Sequence, residues 1–473
     1  MQTIMRGHPA QVGVPASAIL DTLTQIQAGG LELHSFLLQR QGKLVTEVYF
    51  DPIKADTLQR LYSITKSFVA LAIGILAEEG ALSLQDPVVN YFPDLIPENP
   101  HPWLMECSVR DLLCMQSCHR QTTYKRDLKK NWLQSFFITQ PEKPPGTLFH
   151  YDTSATYVLT ALAERQSGQE LMDFLRSRFL DQIGFTKDAY ILQDPFGFES
   201  TMGGSGLMAT SLDLIRLGAL FLAEGMWNGA QLLPKDFLKA ATSWQVPTAA
   251  WAEQEEEGQG YGYQFWQVRG GGFACMGKGG QYLLCWPQHE LLIVTTADTQ
   301  DVPGGSVRLL GTIIDGILPA LDTQDKEAEA AERELIAFTQ KAKISAIEKG
   351  EAEADFSAVY TLRGSDVFHK AQWEFDGAQG FLKLEDEFGS WQLNFGIGQT
   401  ITGQFPRDGG LYVGTAGWLS GRELYLRLSL LGEECASMEL RATFYPEGCT
   451  MEMRNTCEMC YGQFSGLWQG EKL

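Results

Sequence analysis

The sequence predicts an α+β protein in which an antiparallel sheet with a helical subdomain is followed by a small C-terminal antiparallel β-barrel. Strand patterns lie at both ends of residues 1–321, with mainly helical sequence between them. This arrangement indicates one sheet assembled from distant segments. Residues 322–355 are strongly charged, with ten acids and five bases. About eight short strand patterns separated by Gly-rich turns then fill residues 356–473, as a small barrel or sandwich requires.

The N-terminal elements come first in this prediction. Residues 17–50 predict a helix followed by two strands, which are joined by a polar turn at Gln41 and Gly42. A strongly apolar helix is predicted over residues 63–79, and Gly80 supplies its C-terminal cap.

The remaining elements follow in chain order. Residues 84–200 have a mainly helical pattern that proline-rich loops interrupt. Beyond them we expect helices over residues 207–223 and 307–321 and strands over residues 261–268, 280–286 and 291–297. We therefore divide the chain into a first domain (1–321), a charged linker helix (322–355) and a barrel domain (356–473). Glu329 lies four residues before Arg333, as on a solvated helix.

Composition restricts the partners of the chain. The formal net charge is -21 and the sequence pI is about 4.8, so phosphate backbones and anionic lipid surfaces are repelled. We expect a small-molecule substrate, and neither nucleic acid nor a membrane as a partner. Residues 1–17 lack an apolar core of signal-peptide length, and the nine cysteines are scattered and odd in number. These features predict a cytoplasmic protein with reduced thiols.

Ser63 and Lys66 stand at the start of the predicted apolar helix. Residues at i and i+3 share a helix face, so we expect the Lys66 amine beside the Ser63 hydroxyl. Nucleophilic catalysis needs this combination of a hydroxyl and a base within hydrogen-bond reach. Because the helix is apolar on every side, burial favours the neutral amine. The alternative is a helix cap followed by a surface lysine. Ser-x-x-Lys occurs once in the chain.

The residues around this pair resemble a known family. Residues 59–68 read QRLYSITKSF and residues 80–88 read GALSLQDPV, which is similar to the first motif of the class C β-lactamase-related family. That family includes penicillin-binding D-alanyl peptidases, carboxylesterases and 6-aminohexanoate-dimer hydrolases. Further similar stretches lie at residues 109–113, 203–210 and 228–234, so the resemblance covers roughly residues 12–320. It implies a β-lactamase/transpeptidase-like α/β sandwich, with the site between the sheet and the helical subdomain.

The second motif of this family is Tyr-x-Asn or Tyr-x-Ser, and Tyr151 to Thr153 stand where it belongs. The resemblance assigns Tyr151 as the general base or a proton relay, paired with Lys66. A tyrosine near an ammonium has its phenolate favoured, which fits either role. The alternative is a tyrosine that only packs on a helix. Thr153, a predicted substrate-binding residue, keeps a hydroxyl but lacks the amide of the usual Asn.

The third motif is Lys-Thr-Gly or His-x-Gly in members that recognise penicillin. Residues 275–281 read CMGKGGQ here, which is similar to the Gly-x-Gly-Gly-Gln version of the aminohexanoate-dimer hydrolases and related esterases. Cys275 and Met276 carry neither the cation nor the hydroxyl that binds the carboxylate of a β-lactam in those members. The resemblance places Gly277, Lys278 and Gly279 at the substrate, with the backbone N–H groups of Ser63 and Lys278 as the oxyanion hole. The Lys278 side chain could point into the pocket or into solvent.

No metal site or cofactor is predicted. Cys457 and Cys460 form one isolated Cys-x-x-Cys pair in a β-rich region, which is more typical of two ordinary thiols than of half a zinc site. Three cysteines and a histidine cluster between residues 107 and 119 without a recognisable ligand spacing. Gly-x-Ser-x-Gly and His-Glu-x-x-His motifs are both absent from the sequence.

These observations predict a serine hydrolase that forms an acyl-enzyme on an ester or amide of a small molecule. Two alternatives stay open. One is a D-amino-acid peptidase, transpeptidase or β-lactamase, and the other is a non-catalytic binding protein on a decayed hydrolase scaffold. An intact set of Ser63, Lys66 and Tyr151 argues against the second alternative.

Overall fold

The computed structural model of the chain describes residues 4–126, 131–196, 200–351, 356–406, 409–458 and 461–473. Before the barrel, the strands are β1 (Met5–Arg6), β2 (Glu32–Arg40), β3 (Lys43–Tyr49), β4 (Gln59–Arg60), β5 (Tyr190–Ile191), β6 (Leu207–Ala209), β7 (Met226–Trp227), β8 (Ala230–Gln231), β9 (Trp266–Val268), β10 (Gly272–Gly277), β11 (Gln281–Trp286) and β12 (Leu291–Asp298). The helices are α1 (Ala16–Ala28), α2 (Thr65–Glu78), α3 (Pro102–Glu106), α4 (Val109–Leu113), α5 (Trp132–Ile138), α6 (Thr153–Ser167), α7 (Leu171–Leu175), α8 (Asp181–Ile183), α9 (Ser211–Leu222), α10 (Lys235–Ala241), α11 (Gly305–Ile317) and α12 (Ala328–Lys341).

The main sheet joins the two ends of the first part of the chain, as the sequence predicts. Among the described residues its order is β1-β3-β2-β12-β11-β10-β9, and every neighbouring pair except β1 with β3 is antiparallel. Helices α1 and α11 pack together with the strands in one hydrophobic core. Helices α2, α4, α6 and α7 form the helical subdomain around a second core, which contains most of α2. The α+β class is confirmed.

Several predicted boundaries differ from the structure, and two of the differences have a local cause. The helix predicted over residues 207–223 begins at Ser211, because Thr210 and Asp213 form a reciprocal capping box. The three preceding residues instead pair as β6 with β4, the short strand that leads into Ser63. The strand predicted over residues 261–268 is reduced to β9, since Gln264 has a left-handed φ of 63° that interrupts extended backbone.

Helix α12 lies within the charged segment 322–355 and packs on the first part of the chain. Leu335 is buried in the core that contains α1 and α11. The exposed Arg333 and Glu329 form the expected pair at 3.7 Å. Residues 352–355 of the segment lie outside the described residues. The division into three parts at residues 321 and 355 stays a prediction.

The C-terminal part is a closed barrel. Its strands are β13 (Phe356–Arg363), β14 (Lys370–Phe375), β15 (Gln379–Asp386), β16 (Gly389–Ile397), β17 (Thr400–Gln404), β18 (Leu411–Ser420), β19 (Glu423–Leu431), β20 (Cys435–Tyr445), β21 (Gly448–Asn455) and β22 (Gly466–Lys472). Within the described ranges, nine strands run in the order β16-β15-β14-β13-β22-β21-β20-β19-β18, and a parallel pairing of β16 with β18 closes the ring. Strand β17 pairs with β18 outside this ring. The predicted antiparallel barrel is confirmed.

Charged side chains join the barrel to the first part of the chain. Arg60, which is buried at the end of β4, pairs with Glu434 of the barrel at 2.8 Å. Arg427 of β19 lies 3.2 Å from Asp301 and 3.5 Å from Glu32. All of these side chains are largely shielded from solvent. Ion pairs with low exposure have strict geometric demands, so they fix the barrel against the ends of β2, β4 and β12.

None of the helices within the described ranges is long and apolar enough to cross a bilayer. The cytoplasmic location stays a prediction.

Candidate active site

Ser63 lies in a tight turn between strand β4 and helix α2. The N–H of Lys66 donates to the Ser63 carbonyl at 3.1 Å, and the N–H of Thr65 donates to the Tyr62 carbonyl at 3.0 Å. The Thr65 hydroxyl also donates to this carbonyl, at 2.6 Å. These bonds close the turn one residue before the helix begins, so the Ser63 hydroxyl is held at the helix N-terminus.

The Lys66 amine lies against the Ser63 hydroxyl. Lys66 Nζ is 2.9 Å from Ser63 Oγ and donates to the Gly204 carbonyl at 2.7 Å. The side chain is buried, and this burial lowers the pKa of Lys66 to about 7. The nearby Glu458 carboxylate raises this pKa in part, whereas Lys125 lowers it further. At neutral pH the amine is therefore partly unprotonated and able to take a proton from Ser63.

Tyr151 is placed at the same hydroxyl, just before helix α6. Its phenol is hydrogen-bonded to Ser63, and Lys66 Nζ lies 5.0 Å from the centre of its ring. The Trp266 ring stacks on the Tyr151 ring, with 5.7 Å between the two ring centres. Burial raises the pKa of Tyr151 above its usual value, although the bond with Ser63 offsets part of the effect. The expectation of a favoured phenolate is therefore wrong, because burial disfavours the charged phenolate.

The turn at Ser63 approaches the edge of the main sheet closely. A Cβ at Gly277 would lie 2.3 Å from the Leu61 carbonyl oxygen, so only glycine allows this strand to come so near. Lys278 follows directly on β10. In the part of the chain that the structure describes, neither Ser63 nor Lys278 has an acceptor for its backbone N–H. Both N–H groups are thus available to a ligand, as the predicted oxyanion hole requires.

Lys278 is exposed, and its side chain reaches the barrel. Its ammonium donates to the carbonyl of Thr456, in the barrel, at 3.0 Å and lies 5.7 Å from the centre of the Tyr62 ring. Gly279 has a left-handed φ of 82° and turns the chain from β10 into β11. The predicted substrate-binding residues of this motif thus form one turn at the sheet edge, with the lysine side chain held by the barrel.

Thr153 lies beside the acceptor of the Lys66 ammonium. Its backbone N–H donates to Thr122 Oγ1 at 2.9 Å, which fixes the first turn of α6. A Cβ on Gly204 would lie 2.4 Å from the Thr153 methyl carbon. The threonine therefore closes the space behind the Gly204 carbonyl, and a larger residue at position 204 would displace that carbonyl.

Sequence reasoning missed two residues of this site. Residues 203–210 were recognised as a family-like stretch, yet no role for the Gly204 carbonyl followed from it. Glu458 contributes a carboxylate to the electrostatics of Lys66 from the barrel, nearly four hundred residues further along the chain. Its side chain also pairs with Arg60 at 3.6 Å. No local pattern signals a contact of this kind.

The cysteine-rich segment at residues 107–119 lies in the interior of the helical subdomain. Cys107 and Cys118 are buried, and His119 Nε2 lies 2.9 Å from the carbonyl oxygen of Phe136. The described residues contain no group of three or more His, Cys, Asp or Glu side chains arranged to hold a metal ion. Cys460 of the Cys-x-x-Cys pair lies outside the described residues.

Solved structures share this architecture. A penicillin-binding protein homologue from Caulobacter crescentus superposes with a TM-score of 0.51 at 18% identity, over 64% of this chain and 97% of that one. EstCE1, a hydrolase with promiscuous acyltransferase activity, gives a TM-score of 0.51 at 18% identity, over 64% of this chain and 98% of its own. The fold is therefore of the β-lactamase/transpeptidase-like class, as the resemblance implied.

Sequence comparison identifies the family. The 6-aminohexanoate-dimer hydrolase of Paenarthrobacter ureafaciens is 25% identical over 228 residues, which cover 44% of this chain and 56% of that protein. Esterase EstB of Burkholderia gladioli is 29% identical over 168 residues, or 31% of this chain and 42% of EstB. The sequence model of the beta-lactamase family matches residues 22–310. The chain belongs to the beta-lactamase family, in which these relatives are a hydrolase and an esterase.

Proposed function

We propose that the protein is a serine hydrolase that cleaves an ester or simple amide of a small molecule through an acyl-enzyme on Ser63. The observation that carries this proposal is the contact of 2.9 Å between Ser63 Oγ and Lys66 Nζ, together with a Lys66 pKa of about 7. A hydroxyl next to a partly neutral amine is an activated nucleophile. The family relationship supports the same class of chemistry.

Acylation follows from this geometry. Ser63 Oγ bonds to the substrate carbonyl carbon while its proton passes to the neutral Lys66 amine. The negative charge on the carbonyl oxygen is stabilised by the backbone N–H groups of Ser63 and Lys278. Tyr151 is the proton relay in this proposal, because its raised pKa keeps it a phenol that can donate a proton to the leaving alcohol or amine. The Lys66 ammonium then returns a proton to Tyr151.

Deacylation reverses the roles of the nucleophile and the leaving group. Water attacks the acyl carbon and transfers a proton to the Lys66 amine, and the Ser63–acyl bond breaks. Ser63 regains its proton from the Lys66 ammonium, and the product leaves as a carboxylic acid. The site residues therefore end each cycle in their starting protonation states.

The third motif favours an ester or simple amide over a β-lactam. Cys275 is buried, with its thiol directed toward Ser67, and Met276 carries no charge. The Lys278 ammonium is bonded to the barrel at Thr456. Cys275 and Met276 thus offer no cation to a substrate carboxylate, and one N–H of the Lys278 ammonium is already bonded to the barrel. Charge-assisted contacts of that kind contribute about 1.5–3 kcal/mol each, which corresponds to roughly ten- to a hundredfold in rate.

The test compares p-nitrophenyl butyrate with nitrocefin, using the parent, Ser63→Ala and Lys278→Ala. We expect the parent to hydrolyse the ester and to turn over nitrocefin at least about tenfold less efficiently. Ser63→Ala should lose the ester activity. The proposed substrate class is wrong if the parent hydrolyses both substrates equally and Lys278→Ala loses only its nitrocefin hydrolysis. That result would show that Lys278 binds the substrate carboxylate. Ester turnover that survives in Ser63→Ala would refute the proposed nucleophile.

A further inference from the structure

The residue immediately before Ser63 is held by the C-terminal barrel. The buried phenol of Tyr62 donates to the carbonyl of Cys435 at 2.7 Å and accepts from the N–H of Cys435 at 3.2 Å. Cys435 is the first residue of β20. The Tyr62 hydroxyl is thus hydrogen-bonded to both backbone groups of Cys435. Two bonds define the position of the hydroxyl more tightly than one bond would.

The backbone of Tyr62 is in an uncommon conformation. Its φ of 45° lies in the left-handed region, which a residue with a bulky side chain adopts only where the surroundings enforce it. This conformation directs the chain from β4 into the turn that carries Ser63. A change in Tyr62 is therefore transmitted to the Ser63 hydroxyl through a single peptide unit.

Two cationic side chains lie over the Tyr62 ring. The Arg60 guanidinium carbon lies 4.6 Å from the ring centre, and Lys278 Nζ lies 5.7 Å from it. Arg60 and Lys278 in turn bind the barrel, through Glu434 and the Thr456 carbonyl. The ring, its hydroxyl and both neighbouring cations are thus anchored to the same barrel surface.

We infer that Tyr62 is a positioning residue for the nucleophile and that the barrel acts through it as a part of the active site. This inference rests on the proposed function, because it assigns a role in the reaction of Ser63. The barrel supplies the backbone groups of Cys435, and these groups fix the left-handed turn that sets the direction of Ser63 Oγ.

The direct test is Tyr62→Phe, which removes the hydroxyl and keeps the ring between its two cations. With p-nitrophenyl butyrate we expect kcat to fall about tenfold or more and KM to change less than about twofold, since small displacements of a reacting group reduce rate more than binding. The matched control is Tyr190→Phe. That phenol also bonds to the barrel, at 2.8 Å from Glu433 Oε1, but it is exposed and belongs to β5, whereas Tyr62 directly precedes Ser63 in the chain.

Hydrogen–deuterium exchange of the peptide spanning residues 61–66 provides a readout that does not depend on turnover. We expect faster exchange there in Tyr62→Phe than in the parent or in Tyr190→Phe. The inference is refuted if exchange and kcat stay at parental values, or if Tyr190→Phe reduces kcat equally and so shows a general effect of domain docking. If the parent hydrolyses no ester while exchange changes as expected, the proposed function fails and the positioning of the turn stands.

Discussion

The pH dependence of ester hydrolysis is set by Lys66 in the proposed mechanism. An ordinary lysine with a pKa of about 10.5 is neutral in roughly one molecule in 3,000 at pH 7, whereas a pKa of about 7 leaves half of the molecules neutral. Because burial lowers the pKa, the base form accumulates as the pH rises through 7. Below that pH the ammonium dominates and cannot accept the Ser63 proton.

These fractions predict the shape of the profile. The value of kcat/KM for p-nitrophenyl butyrate should fall about fivefold from pH 7 to pH 6 and rise less than twofold from pH 7 to pH 8. The assay is initial-rate kinetics from pH 5.5 to 9 at constant ionic strength, with spontaneous ester hydrolysis subtracted. A profile that continues to rise about tenfold per pH unit up to pH 9 would refute the assignment of Lys66 as the base.

The environment of Lys66 offers a charge-matched check. Glu458 raises the pKa of Lys66, so Glu458→Gln should move the inflection of the profile to lower pH without a change in side-chain size. Glu433→Gln changes a barrel carboxylate outside this environment and should leave the inflection in place. Equal profiles for Glu458→Gln and the parent would show that the barrel carboxylate does not act on the base.

Three substitutions test other parts of the structure. Gly204→Ala should lower kcat/KM about tenfold or more, because the new Cβ would lie 2.4 Å from the Thr153 methyl carbon. This clash would displace the Gly204 carbonyl, which accepts a hydrogen bond from Lys66. Parental kinetics in the variant would contradict this prediction. Tyr151→Phe should lower kcat by about 10²–10⁴-fold if the phenol relays the proton, and full activity would exclude that role. Leu335→Ala should lower the free energy of unfolding, measured by urea denaturation, by about 2–5 kcal/mol because Leu335 is buried. The control is Ile336→Ala, at a half-exposed residue, which should lower it by less than about 1 kcal/mol. Equal effects would show that α12 is not part of the core.

The local part of this site could be predicted from the sequence. Ser63 and Lys66 are three residues apart where a turn runs into helix α2, and this local spacing brings their side chains together. Helix α2 and strands β2, β3, β11 and β12 of the main sheet were predicted for the same reason, because apolar periodicity is a local signal. The position of Tyr151 followed from the order of family-like motifs, and the structure brings it to the Ser63 hydroxyl.

The remaining features depend on contacts that are distant in sequence or on burial. The bond between Tyr62 and Cys435 joins residues 373 positions apart, and no periodicity reports such a contact. The protonation of Tyr151 was wrongly expected because sequence shows the neighbouring amine but not the depth of burial. The start of α9 at Ser211 was missed because the capping box of Thr210 was not recognised within an apolar run.

The central claim is that Ser63 carries the acyl group, and the most direct measurement is active-site labelling with a fluorophosphonate. The parent and Ser63→Ala are incubated with the reagent, and intact-protein mass spectrometry and peptide mapping then locate any adduct. We predict one adduct per chain on Ser63 in the parent, loss of ester turnover in proportion to labelling, and no adduct in the variant. An adduct on another residue, or an unlabelled parent that still hydrolyses the ester, would contradict the proposed mechanism.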